Sequence, residues 1–138
     1  MTRRRPPKRR RRLISLDITP VVPAGRQLIQ GYGDGGFRIA GTAHQGSVLV
    51  FTEETRPWAV TEAGAISPES LADVLASKPG LLVVGCGAGF QPPPPGLRDA
   101  LKAAGVALEW MDTGAACRTF NVLLAEDRGA AAALIAVG

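Results

Sequence analysis

Apolar positions change their spacing half-way along this chain, and the change divides it into two kinds of structure. Between residues 27 and 60 they fall in short runs: Gln27-Leu28-Ile29, Phe37-Arg38-Ile39-Ala40, Ser47-Val48-Leu49-Val50-Phe51 and Arg56-Pro57-Trp58-Ala59-Val60. Short runs rich in β-branched and bulky residues, bounded by glycine and charge, predict strands. The segment Gly31-Tyr32-Gly33-Asp34-Gly35-Gly36 predicts a turn, because glycine adopts positive φ without steric cost. Gly41 to Gly46 predicts a further connection, and the whole stretch an antiparallel meander.

The second half has helical spacing between apolar runs. Ser67-Pro68 pairs a capping serine with a proline suited to a first helical turn. Leu71, Val74 and Leu75 then mark one buried face, and Lys78-Pro79-Gly80 ends the helix. Leu81-Leu82-Val83-Val84 reads as a strand buried on both faces. Pro95-Gly96 opens a second helix with Leu97, Ala100, Leu101 and Ala104 on one side, stopped by Gly105. Val106 to Trp110 is a strand, Asp112 and Thr113 can cap a third helix, and Ala116, Phe120, Leu123 and Leu124 form its inner face. A last strand lies between Ala130 and Val137. Strand–helix–strand–helix–strand is the pattern of parallel pairs with crossovers. The fold class is therefore α/β, a mixed sheet with a β-rich N-terminal half and a parallel C-terminal half.

Charge adds a feature that the apolar pattern does not show. The chain has 138 residues and a net charge of +4, but eight of its 16 basic residues lie in the first twelve: Arg3, Arg4, Arg5, Lys8, Arg9, Arg10, Arg11 and Arg12. The remaining eight face 12 acidic residues, so the body carries −4. Residues 1–14 read as a disordered basic tail and 15–138 as one domain. Such a tail is either a solvated arm or a contact for anionic lipid or nucleic acid phosphates. Nucleic acid is disfavoured, because Trp58 and Trp110 are not interleaved with basic residues. Leu13-Ile14-Ser15-Leu16 meets Asp17 at once, too short for a secretory apolar region, so the expected place is the cytoplasm, with the tail permitting a position beside the inner membrane.

Candidate chemistry gathers in two loops. Ligands of open α/β sheets sit beyond the carboxyl ends of parallel strands. Gly85-Cys86-Gly87-Ala88-Gly89-Phe90-Gln91, followed by Pro92 to Pro95, leaves one such end, and Met111-Asp112-Thr113-Gly114-Ala115-Ala116-Cys117-Arg118 leaves another. If the strands are neighbours the loops face each other. A crevice there offers the third helix's N-terminus and the charge of Arg118 to an anion. Cys117 reads either as a thiol activated in the first helical turn or, more commonly for a free cysteine, as a core residue. Cys86 and Cys117 can approach each other for a reversible disulfide if the strand ends are adjacent. Gly31-x-Gly33-x-x-Gly36 matches a dinucleotide pattern literally but leads into a strand rather than a helix. Gly85-x-Gly87 is better placed, with Glu109 where a ribose-binding acid would stand, yet four prolines separate it from its helix. A single histidine, His44, with two distant cysteines makes a poor metal set, there is no G-x-S-x-G, and no cofactor is expected.

The run Met111-Asp112-Thr113-Gly114-Ala115-Ala116-Cys117-Arg118-Thr119-Phe120-Asn121-Val122-Leu123-Leu124-Ala125-Glu126-Asp127-Arg128 closely resembles the signature of a domain-of-unknown-function family. That family includes mitochondrial respiratory complex I assembly factor three and the adipogenesis-associated Mth-domain protein. The Ile29-x-Gly31-Tyr32-Gly33 segment, Trp58 after Arg56-Pro57, and the strand into Gly85-Cys86-Gly87 agree in order. The family often has threonine at the position of Cys86. The resemblance spans residues 15–138 and implies a three-layer Mth-type α/β domain with a β-rich, hammerhead-like portion. It further implies a non-enzymatic module that binds protein partners, among them respiratory complex subunits, as an assembly factor or chaperone. The alternative reading is a protein that binds a small anionic ligand, or an enzyme, using Gly85, Cys86, Gly87, Asp112, Thr113, Gly114, Cys117 and Arg118.

Overall fold

A computed structural model of the chain describes residues 13–16 and 22–138. The tail residues Arg3, Arg4, Arg5, Lys8, Arg9, Arg10, Arg11 and Arg12, and most of the 18–23 segment, lie outside them. Ile14, at the end of the predicted tail, belongs to the first strand.

Four strands, β1 (Ile14–Ser15), β2 (Ile29–Gly33), β3 (Gly36–Ile39) and β4 (Thr42–Gln45), form an antiparallel sheet in chain order. This revises two sequence expectations. The glycine-rich 31–36 segment is mostly strand, and only Asp34-Gly35 turns, with φ of 53° and 80°. Two positive φ values in a two-residue loop match the strand twist, as Asp-Gly hairpins do. The 41–46 connection is likewise mostly β4, entered through Ala40-Gly41 at φ of 49° and 83°. Gly36 is a strand residue that must be glycine, because a β-carbon there would meet the His44 carbonyl.

The remaining strands make a second sheet. β5 (Val48–Val50), β6 (Thr55–Pro57), β7 (Leu81–Gly85), β8 (Ala107–Met111) and β9 (Ala130–Leu134) stand in the order β6-β5-β9-β7-β8. β7 pairs in parallel with β8 and β9, whereas β5 is antiparallel to β6 and β9. The predicted meander therefore divides, its last two strands joining the parallel half in one mixed sheet. The connecting helices are α1 (Ala72–Ser77), α2 (Leu97–Ala103) and α3 (Thr113–Ala125). Ser67 and Ser70 exchange backbone-to-hydroxyl bonds of 2.9 and 3.1 Å before α1, and Lys78, in the left-handed region, ends it.

Side-chain alternation along the large sheet makes two cores. Leu49, Leu82, Val84, Leu108, Trp110, Ala131 and Ala133 face Leu71 just before α1, Val74 of α1, and Leu97 and Leu101 of α2. Val48, Val50, Val83, Ala132 and Leu134 face α3 and the small sheet, which adds Ile29, Phe37 and Ile39. The layers are thus helices, the mixed sheet, and α3 with the small sheet. In β9 the alanines Ala131, Ala132 and Ala133 are buried on both sides. Alanine is a poor strand former, and packing between two layers outweighs that preference here.

One buried polar contact joins the small sheet to α3. The Asn121 side-chain oxygen accepts the Ile29 N–H at 2.9 Å, and its NH2 group donates to the Ile29 carbonyl at 2.8 Å. It acts as a peptide group toward β2 at the irregularity between Ile29 and Gly31. Replacing Asn121 with alanine strands a buried donor and a buried acceptor, each at about 1–3 kcal/mol. Asn121→Ala is expected to lower the unfolding free energy by roughly 2–4 kcal/mol, read as a lower urea midpoint. An unchanged midpoint would show that the contact does not hold the layers together.

Candidate functional site

The two chemistry-bearing loops do come together. β7 and β8 are parallel neighbours in register from Leu81–Ala107 to Gly85–Met111, so both loops leave the same sheet end. They meet in direct contact rather than across a gap. The Thr113 N–H donates to the Gly87 carbonyl at 2.9 Å, and the Gly87 N–H donates to Thr113 Oγ1 at 3.1 Å. That hydroxyl in turn donates to the Ile135 carbonyl at 2.8 Å, just beyond β9. Thr113 is fully buried and ties three strand ends together. Gly85 permits this, since a β-carbon there would lie 2.8 Å from Thr113 Cα.

The other predicted residues take structural places around this knot. Asp112 is the α3 cap, accepting the Ala115 N–H at 2.9 Å. Gly114 lies under the Tyr32 ring, where an added β-carbon would stand 2.5 Å from the hydroxyl oxygen. Cys86 is buried and its sulfur accepts the Gln91 N–H at 3.4 Å and donates to the Gly89 carbonyl at 3.6 Å. Arg118 is exposed on α3, one residue after Cys117. A concavity of about 510 Å³ does open at this sheet end, but on the other flank of the glycine loop. Cys86, Gly87, Ala88 and Gln91 border it together with Thr61–Gly64 and Ile135–Gly138, and none of Asp112 to Arg118 does.

Cys117 belongs to the second turn of α3, not the first, and is completely buried. Burial pushes its thiol up to about 12, against a smaller opposing pull from Arg118. The activated-thiol reading is therefore replaced by the core reading. A Cys86–Cys117 disulfide is also ruled out, because the two free thiols belong to cores on opposite faces of the large sheet. His44 lies on β4 opposite Phe37. Trp58 and Trp110 are core residues whose indole N–H groups bind the Ser70 and Gln91 carbonyls at 2.8 and 2.6 Å.

Residues 29–135 match the family described as protein of unknown function (DUF498/DUF598). The chain belongs to this family. An uncharacterized protein of Rhodobacter capsulatus is 41% identical over 112 residues, covering 81% of this chain and 86% of that one. The NADH dehydrogenase (ubiquinone) 1 alpha subcomplex assembly factor 3 of Danio rerio is 36% identical over 126 residues, covering 90% of this chain and 72% of that one. A Bordetella pertussis solution structure described as a Mth938-like domain superimposes with a TM-score of 0.72, over 87% of this chain and 92% of that one. At 24% identity it shows the fold alone.

The segment that carries the family resemblance, residues 111–128, is α3 and its cap. Two residues outside the sequence-based candidates matter most there. Asn121 stood in the sequence only as one position of the 111–128 run, although asparagine is unfavourable inside a helix unless it bonds elsewhere. Tyr32 stood in the sequence only as part of the Ile29-x-Gly31-Tyr32-Gly33 segment that agrees with the family. No helix among the described residues is long and apolar enough to cross a membrane.

Thr113→Val removes the hydroxyl at nearly constant volume and leaves the Ile135 carbonyl and the Gly87 N–H without it. It is expected to cost about 1–3 kcal/mol, with Thr113→Ser recovering most of the loss; equal stability of all three chains would contradict the knot. Cys117 gives a pH signature. Its folded pKa lies above the ordinary 9.0, so its contribution is complete below pH 9 and is lost as pH rises from there toward 12. The urea midpoint of the wild type should fall more steeply over that range than that of Cys117→Ala. Native Cys117 should also resist iodoacetamide at pH 8, read by peptide mass spectrometry, and prompt alkylation would refute its burial.

Proposed function

We propose that this domain is a non-catalytic, protein-binding assembly factor for a complex I-like respiratory enzyme, acting on subunits before they are joined. The observation that carries the reading is the similarity to the Danio rerio assembly factor over 90% of the chain. The site supports it in a second way. The residues at the strand ends bond to one another through Thr113, and the Cys117 thiol of α3 is held protonated in the core. Side chains used in this manner maintain a shape, which suits a docking module. Among the described residues the concavity beside the glycine loop is bordered by Glu62 and by no basic side chain, so they offer little to an anion.

Deleting the gene in the native host tests the proposal. Assembled complex I on native gels should fall several-fold, with sub-assemblies accumulating, and the full chain should restore it. Normal complex I in the deletion strain would overturn the reading. A chain lacking residues 1–12, supplied in the same strain, measures what the basic tail contributes.

A further inference from the structure

The loop between β7 and α2 has a feature that neither the fold nor the strand-end knot requires. Phe90 is 65% exposed, the most exposed of the large apolar side chains among the described residues. Its loop is held from both sides. The Cys86 sulfur bridges the Gln91 N–H and the Gly89 carbonyl, and the Trp110 indole holds the Gln91 carbonyl at 2.6 Å. Pro92 to Pro95 then fix four successive φ angles. A chain that spends four prolines, a buried thiol and an indole N–H on a loop presents Phe90 in one place.

The charge pattern says what such a loop can meet. Gly85 to Leu97 contains no ionisable side chain except the buried Cys86, in a chain that is 20% charged. The neighbouring 134–138 segment has no ionisable side chain either, and the one charged side chain bordering the adjoining concavity among the described residues is the acidic Glu62. Anionic lipid or nucleic acid would call for basic residues there. Interface centres in proteins are depleted of charge and enriched in aromatic anchors, and a pre-ordered aromatic with two side-chain torsions loses little freedom on binding.

We propose that the Cys86–Pro95 loop is the domain's docking element for a partner protein, with the Phe90 ring entering an uncharged apolar cleft on that partner. The proposal rests on the protein-binding reading above and names the surface that reading left open. Phe90 is exposed and belongs to neither core, so Phe90→Ala should leave the thermal midpoint unchanged.

The test uses the full chain, tagged, in the native host, with a photoreactive phenylalanine analogue at position 90 and, as a control, at the exposed Glu109. Respiratory complex subunits should crosslink from position 90 and not from 109. Their recovery should fall at least tenfold with Phe90→Ala and persist with Phe90→Tyr. If such subunits co-purify equally with wild type and Phe90→Ala, the anchor is overturned and the assembly reading survives. If no respiratory subunit co-purifies with the wild type, both fall. A concentration-dependent dimer of the purified chain that Phe90→Ala abolishes would overturn the partner assignment in favour of a second copy.

Discussion

The amide of Asn121 sets the relation between the two sheets. One face of α3 packs against the large sheet and against the small sheet beside it, and apolar contact alone has no direction. The paired bonds to Ile29 do have direction, and they align α3 with one residue of β2. The pairing irregularity that follows lets Ile29 and Tyr32 both face α3, although they are three residues apart. Tyr32 then meets Gly114, two helical turns before Asn121, so β2 and α3 are pinned at both ends.

From that alignment the rest of the strand-end geometry follows. With α3 placed, Thr113 lies where its hydroxyl reaches both Gly87 and Ile135. The small residues around it are small for the same reason. Gly85 lets Thr113 approach β7, with the Ala116 methyl in the same tight contact, and the alanines of β9 leave room for layers on both faces. The outcome is a rigid sheet end with its polar groups matched internally, from which the Phe90 loop projects. In this arrangement the loop after β7 both bonds inward to Thr113 through Gly87 and carries an exposed Phe90, and the parallel pair β7 and β8 supports it.

Much of the architecture was legible because periodicity and punctuation are local. The three helices, the Asp112 cap, the buried Leu82–Val84 run and the parallel second half all follow from spacing and from residues a few positions apart, although α1 begins at Ala72, after a 3-10 turn at Glu69–Leu71, and not at Ser67-Pro68. The glycine-rich first half was read less well. Glycine serves turns and close strand packing alike, and only the register separates the Asp34-Gly35 turn from strand residues such as Gly36.

By its sequence alone this protein was determined to be an α/β domain of a recognisable family, with a basic arm and with two loops at one sheet end. Tertiary structure decided what those loops are. That β9 enters between β5 and β7, that Thr113 fills the space between neighbouring strand ends, and that Cys86 and Cys117 fall on opposite faces all depend on contacts between residues far apart in the chain. Local spacing reports which face of a strand or helix is apolar. It carries no information on which distant face will cover it, and that covering decides whether a polar residue lines a site or closes one.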